Sequence, residues 1–334
     1  MTVGAQQSSI KDILRSKKSS VTDTAFKIST KDGIHQEIPI TLISGAKDGP
    51  TFTLIAGIHG MEYPTILSLM ELRREIDPKK LSGNLIVIPV VNTKPFFKRV
   101  PFVNPIDQLN LNRIFPGNPN GSISEVIADF LTREVFSATD ILLDLHGGDV
   151  GEDLIPFICY YDNQTFTKQT KLVARLSEIS GFETIVSYPY ILPADKPAMY
   201  AFKQAVRQGI PALSIEIGKL GNWQRSEVDI SKDAIYRMME ELGIYKNDKV
   251  GSATPVKARY NQQAYISVAQ QGVFYSTLRA GDHVSKGAEI GYITDIFGNK
   301  LQTITAPESG IILYKVGTPP VNKGETLFCI GYTI

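Results

Sequence analysis

The chain has 334 residues, with 35 basic against 34 acidic side chains, 43% hydrophobic and 21% charged residues, and two cysteines. Near-neutral charge gives no electrostatic reason to expect nucleic acid or an anionic membrane as partner, and no apolar run reaches the roughly 18 residues of a membrane span. Two cysteines cannot build a disulfide framework; the length predicts two domains; and the opening MTVGAQQSSI, with no apolar segment behind a basic start, does not read as a secretory leader, so a cytoplasmic protein is expected.

In chain order, residues 1 to about 25 are polar and read as a loose arm or short helix. IPITLI (38–43) reads as a strand and AKDGP (46–50) as a turn. TFTLIAGI (51–58) is a near-continuous apolar run, suited to a strand buried on both faces, and it ends at His59-Gly60. Pro64 suits the first turn of a helix, with TILSLMELRREI as its apolar face. NLIVIPVV (84–91) reads as a second buried strand. Ser122 and Glu125 have capping-box spacing ahead of an apolar stripe at Ile123, Val126, Ile127, Phe130, Leu131 and Val135. DILLDL (140–145) is a third buried strand, ending at His146-Gly147-Gly148. Helices are predicted near 166–180, 199–208 and 226–242, each stopped by a glycine, and ALSIEI (212–217) is another strand. Cys159 and Cys329 lie in apolar strand-like runs and read as buried small hydrophobes.

Strands alternating with helices indicate an α/β sheet. His59, His146 and Glu216 all fall at C-terminal ends of strands, the edge where open α/β sheets place their sites. After about residue 250 helical periodicity stops and a weak repeat begins. Gly272-Val-Phe-Tyr is followed by Gly281, Val284, Gly287 and Gly291, and Gly310-Ile-Ile-Leu by Gly317, Val321, Gly324 and Gly331. Two similar halves of short strands predict a small pseudo-symmetric β-domain, which resembles the barrel-sandwich fold of biotinyl and lipoyl carriers. The expected division is 1–256 and 257–334. Lys300, in the FGNK turn, lacks the surroundings of a carrier lysine and reads as an ordinary turn residue.

HGMEYP (59–64) puts an imidazole and a carboxylate three residues apart where a strand turns into a helix. Alone this is weak, since a helix-start Glu and a satisfied His produce the same pattern. His146, one of only four histidines, ends another buried strand at a matching position. Together His59, Glu62 and His146 make the His2Glu set of hydrolytic zinc sites, with one coordination position left open. Asp144, two residues before His146, shares its face and is placed to hydrogen-bond the imidazole. Glu216, ionisable at the end of an apolar strand, is the candidate general base and acid, against the plainer reading of a structural ion pair.

The ordered motifs HGMEYP (59–64), NLNRIFPG (110–117), DLHGG (144–148) and EIGKLG (216–221) resemble the succinylglutamate desuccinylase/aspartoacylase family, relatives of the zinc carboxypeptidases. The resemblance spans most of 35–334. It implies a mixed sheet flanked by helices, plus the small β-domain. It further implies one zinc per chain on His59, Glu62 and His146, with Glu216 serving a zinc-activated water, and Asn112 and Arg113 binding a substrate carboxylate. Arg offers a planar fork to such a group. The family pattern also has an arginine that polarises the scissile carbonyl; Phe102 occupies about that place here, and Arg99 is the substitute within reach. Met61 stands where relatives carry Asn or Asp.

The leading expectation is hydrolysis of a small N-acyl amino acid or related N-acylated amine, with a small-molecule partner only and a homo-oligomer left open. Two alternatives share the residues: a zinc carboxypeptidase acting on peptides, and a non-catalytic binding protein that keeps the fold.

Overall fold

A computed structural model of the chain describes residues 9–16 and 18–334. The apolar runs form the middle of a nine-stranded mixed sheet. Its elements, in chain order, begin with helix α1 (Ile10–Ser16) and strands β1 (Ser20–Ser29), β2 (His35–Ser44) and β3 (Lys47–Ala56). Next come α2 (Tyr63–Glu75), β4 (Ser82–Ile88), α3 (Thr93–Lys98), α4 (Ile123–Phe130), β5 (Ile141–His146), β6 (Glu152–Leu154) and β7 (Phe157–Asp162). They end with α5 (Thr167–Ile179), β8 (Thr184–Pro189), α6 (Ala201–Arg207), β9 (Ala212–Glu216), α7 (Arg225–Glu241) and β10 (Ala258–Tyr260). The strand order is β1-β2-β4-β3-β5-β9-β7-β8-β10. The central strands β4, β3, β5 and β9 run parallel, while β7 returns antiparallel to β9.

Strand alternation serves two cores. Leu54 of β3 and Leu143 of β5 enter the core shared with α2, α5 and α7, and Ile55 and Leu142 enter the opposite one. That period-2 division makes central strands read as unbroken apolar runs. The structure is therefore the α/β sheet flanked by helices that the alternation predicts. Two local expectations change. The polar N-terminal stretch carries a helix over Ile10–Ser16 and then an edge strand from Ser20, in which only Phe26 and Ile28 are buried; the first eight residues lie outside the described residues. AKDGP, expected as a turn, is mostly the start of β3: Lys47 pairs with Ser82, and the register slips before Thr51 pairs with Asn84.

The C-terminal strands are β11 (Gln262–Ser267), β12 (Gly272–Tyr275), β13 (His283–Val284), β14 (Glu289–Thr294) and β15 (Lys300–Thr305), followed by β16 (Gly310–Val316), β17 (Pro320–Val321) and β18 (Thr326–Tyr332). They form two sheets around a core that includes Phe274, Ile293, Ile312 and Phe328. The weak repeat is realised as an exchange. β13, from the first half, pairs with β16 of the second, and β17 pairs with β12 of the first. The turns correspond too: Gly287 N–H donates to Ala306 O, and Gly324 N–H to Val268 O, both glycines at positive φ (82° and 91°). One element breaks the symmetry. β6, from the loop after His146, adds to the outside of β16 with Leu154 opposite Tyr314. Lys300 opens β15 and pairs with Glu289 at 3.2 Å. Among the described residues no helix is long and apolar enough to cross a membrane.

Leu54 is fully buried beneath the strand end that leads to His59. Leu54→Ala should lower unfolding free energy by about 2–5 kcal/mol, measured by urea denaturation. A loss below about 1 kcal/mol would show that this strand is not the packed centre described.

Candidate active site

Each motif reaches the same sheet edge through a backbone constraint. Gly147, directly after β5, runs so close to the next strand that a Cβ there would lie 2.1 Å from Ile217 O. Gly218, at φ +93°, faces Pro64, whose Cγ would be 2.5 Å from an added Cβ. These contacts lock the ends of β5 and β9 against the start of α2, and His146 and Glu216 are register partners. Glu62 is the residue preceding α2, and its carbonyl accepts from Thr65 Oγ1 at 2.9 Å.

His59, Glu62 and His146 are all buried, and their ligand atoms lie within 4.8 Å of one another, the one such group among the described residues. His59 Nδ1 is 2.7 Å from Glu62 Oε1, and His146 Nδ1 is 3.2 Å from Glu62 Oε2. The outer nitrogens are engaged elsewhere. His59 Nε2 donates to Asn110 Oδ1 at 3.1 Å. His146 Nε2 lies 3.0 Å from Asp144 Oδ1, close enough for an ion pair although bent away from hydrogen-bond alignment. A proton on each Nε2 leaves each Nδ1 lone pair for a cation, the arrangement typical of metal-ligating histidines. Two imidazoles and a carboxylate with one open face fit a divalent ion such as zinc.

Charge balance in the metal-free chain points the same way. Burial by itself would lower the pKa of both histidines. For His59 the charge and hydrogen bond of Glu62, with the hydrogen bond to Asn110, together outweigh it and raise the value, while for His146 Asp144 and Glu62 hold it well above the ordinary imidazole range. Burial would raise Glu62, but His146 and His59 bring it to about 2. Glu62 and Asp144 therefore favour positive charge on the two imidazoles, the charge that a bound dication would supply instead.

A cleft of about 610 Å³ opens from this centre. Asn112 and Arg113, in a 3₁₀ turn Leu111–Arg113, line it. Asn110 Oδ1 accepts from Asn112 N–H at 2.8 Å as well as from His59, so one side chain fixes both the turn and the imidazole. Asn112 Oδ1 accepts from Ala201 N–H at 2.8 Å, and its NH2 group has no partner among the described residues. The Arg113 guanidinium lies 4.9 Å from the centre of the Tyr200 ring. Glu216 also lines the cleft; burial pushes its carboxyl up to about 8, although the charge of His146 opposes this. Arg99 is not brought in. It is exposed at the left-handed residue closing α3, φ +53°, and does not line the cleft. Phe102 instead packs edge-on against His59, 5.9 Å between ring centres.

Sequence reasoning passed over several lining residues. Glu152, from β6, is pushed up to about 7, chiefly by burial. Tyr161, Tyr188 and Tyr200 form an aromatic wall, and Tyr265, Tyr314 and Cys329 reach in from the C-terminal sheets. Asn110 stood inside a recognised motif; the rest carry no local signal, because distant strands assemble them. Cys159 and Cys329 are both buried, and burial raises both thiols, Cys329 to about 12, which leaves them unreactive. A second groove of about 650 Å³ holds the Glu183–Lys257 ion pair and no group of converging ligand atoms.

A sequence model of the succinylglutamate desuccinylase/aspartoacylase catalytic domain matches residues 48–242. The N-alpha-acetyl-L-2,4-diaminobutyric acid deacetylase of Halomonas elongata is 27% identical over 303 residues, 89% of this chain and 86% of that one. Among solved structures, a succinylglutamate desuccinylase/aspartoacylase from Rhodobacter sphaeroides shares the fold with a TM-score of 0.80 at 22% identity, covering 95% of this chain and 97% of that one. The product-bound ectoine utilization protein of Ruegeria pomeroyi gives 0.81 at 22% identity, with the same coverage.

The raised groups fix the pH response of the metal-free protein. His59, His146, Glu152 and Glu216 hold protons in the folded state that the unfolded chain releases nearer the ordinary values of 6.5 and 4.5. Where the native state binds more protons, stability falls as pH rises. Metal-free protein should thus lose Tm steadily from about pH 5.5 to about pH 8.5, and added zinc should reverse that slope, because its ligands must be deprotonated. Scanning calorimetry with and without chelator measures this. A metal-free Tm that climbs over the interval contradicts the assignment.

Proposed function

This chain belongs to the succinylglutamate desuccinylase/aspartoacylase family, and we propose that it is a zinc-dependent amidohydrolase that removes the acyl group from a small N-acyl amino acid. The observation that carries the reading is the convergence of His59 Nδ1, His146 Nδ1 and the Glu62 carboxylate, with both outer nitrogens engaged, beside Glu216 in one cleft. The deacetylase relative supports an acyl group on an amino acid as substrate. The C-terminal sheets support a small substrate over a peptide, since Tyr265, Leu313, Tyr314 and Cys329 wall the cleft.

In this reading His59, Glu62 and His146 hold the zinc ion, which supplies Lewis acidity to acidify water and polarise a carbonyl. Arg113 and the free NH2 of Asn112 grip the substrate carboxylate, with Tyr200 backing the guanidinium. That anchor orients the acyl amide toward the ligand end of the cleft. Glu216 accepts the proton released by the attacking water and returns it to the leaving amine. A carboxyl held near neutrality suits both halves of that transfer. Asn110 and Asp144 act by holding the imidazoles in the ligating tautomer.

One set of variants tests the roles together. The purified protein should carry about one zinc, and His59→Ala and His146→Ala should lose it. Glu216→Gln should retain zinc and lose about 10²–10⁴-fold in turnover of N-acetyl amino acids. Arg113→Ala should retain zinc and lower kcat/KM for a free-carboxylate substrate much more than for its amide-capped analogue. Zinc content by elemental analysis, paired with an amine-release assay, reads all of these. Full zinc retention in both histidine variants, or unimpaired turnover in Glu216→Gln, overturns the reading.

A further inference from the structure

The sheet face under the cleft is laid out in rows by strand register. His146, Glu216 and Phe157 form one row across β5, β9 and β7, and Asp144, Ser214 and Cys159 form the next. Two residues further along β7, Tyr161 pairs with Tyr188 of β8. Ser214, Cys159, Tyr161 and Tyr188 all line the cleft. Two small side chains thus separate Glu216 from a bank of tyrosines. The Cys159 thiol contacts Ser214 and Tyr188. Tyr161 stacks on Phe202 with 4.6 Å between ring centres, and lies 5.6 Å from the centre of the Tyr188 ring. Tyr265 and its register partner Cys329 enclose the space from the C-terminal sheet.

This end of the cleft carries no fixed charge of its own. Burial holds the Tyr161 and Tyr188 phenols well above their usual range, so both stay neutral. The one permanent cation that lines the cleft is Arg113, which the substrate carboxylate engages in the reading above. A second carboxylate on the substrate therefore finds no partner here. A cation is opposed as well. Lys203 already sits behind the wall, its Nζ 5.3 Å from the centre of the Tyr161 ring and 5.9 Å from that of Tyr190, and it donates to Ile191 O without lining the cleft. A further cation against those rings meets like charge.

The chemistry of the substrate decides what enters this space. One carbon of an N-acyl amino acid bears the amide, the carboxylate and the side chain. Arg113 borders the wall, since its charge opposes the rise at Tyr161. With the carboxylate held there and the amide at the ligand end, the side chain is left to lie over Ser214 and Cys159. We propose that Ser214 and Cys159 floor, and Tyr161, Tyr188 and Phe202 wall, a subsite for the substrate side chain, so that the preferred substrate is an N-acyl amino acid with an uncharged aromatic side chain. The inference rests on the deacylase reading and deepens it. A flat ring suits a space bounded by rings, which favour offset and edge-on aromatic partners, and the small floor leaves it depth.

The test compares Nα-acetylphenylalanine with Nα-acetylalanine and Nα-acetyl-2,4-diaminobutyrate on the zinc-loaded enzyme and on Cys159→Leu, which raises the floor. Wild type should prefer the phenylalanine compound to both others. Cys159→Leu should lower the phenylalanine-to-alanine ratio of kcat/KM by about 10- to 100-fold, mainly through KM, the range for a methylene-sized misfit in an apolar pocket. Ser214→Thr adds a single methyl on a strand that accepts β-branched residues, and should shift the ratio the same way if Cys159→Leu fails to fold. A wild-type preference for the alanine or diaminobutyrate compound overturns the proposal, as does a ratio unchanged in a folded, zinc-loaded variant. If none of the acetyl compounds is hydrolysed, the deacylase reading fails. The subsite is then judged on calorimetric binding of the free amino acids: tighter binding of phenylalanine than of alanine, weakened in Ser214→Thr, sustains it, and equal binding overturns it.

Discussion

Glu62 sits between two imidazoles, bonded to one and close to the other, and the surrounding groups answer to the charge at that point. Because Asn110 and Asp144 hold the far nitrogens, the near ones converge, and the pocket is built for two positive charges. In the bare chain the neighbouring carboxylates favour a proton on each imidazole. Both histidines are raised for that reason, and Glu62 is lowered to about 2 despite deep burial. The neighbouring carboxyls lack that compensation, so burial raises Glu216 to about 8 and Glu152 to about 7. One cluster thus contains both a carboxylate held ionised by two hydrogen-bonded imidazoles and carboxyls that burial holds near neutrality.

Backbone contacts make this convergence reproducible. Gly147 against Ile217 O and Gly218 against Pro64 permit approaches that no side chain tolerates, and they bind three motifs into one corner of the sheet. The C-terminal sheets complete the cleft asymmetrically. Their two halves exchange β13 and β17 across a pseudo-dyad, yet only the sheet containing β11, β16 and β18 contributes Tyr265, Leu313, Tyr314 and Cys329 to the walls. That is also the sheet to which β6 adds, and β6 carries Glu152. The element that breaks the symmetry therefore delivers a charged residue to the cleft.

Much of this was legible in the sequence, for a physical reason. A strand buried on both faces reads as an apolar run, and a histidine or glutamate ending such a run stands out, as His59, His146 and Glu216 do. Glycine and proline beside them marked the turns. Edge strand β1 was missed because its outer half is polar and only Phe26 and Ile28 are buried. Arg99 was placed within reach by its position in sequence, but the left-handed backbone that closes α3 leaves it exposed, away from the cleft. Glu152 and the tyrosine wall could not be read at all. Neither periodicity nor spacing marks them, and they meet only because β6 crosses to β16 and because β7, β8 and β9 lie side by side.

The central claim is that both site histidines present Nδ1 to the cation. With only four histidines in the chain, side-chain ¹⁵N resonance spectra of zinc-loaded protein can be resolved and assigned by single substitution. The account predicts that His59 and His146 each show a metal-bound Nδ1 and a protonated Nε2, while the resonances of His35 and His283 do not respond to zinc. Zinc bound through Nε2 at either site histidine, or site resonances that do not respond to zinc, would contradict it.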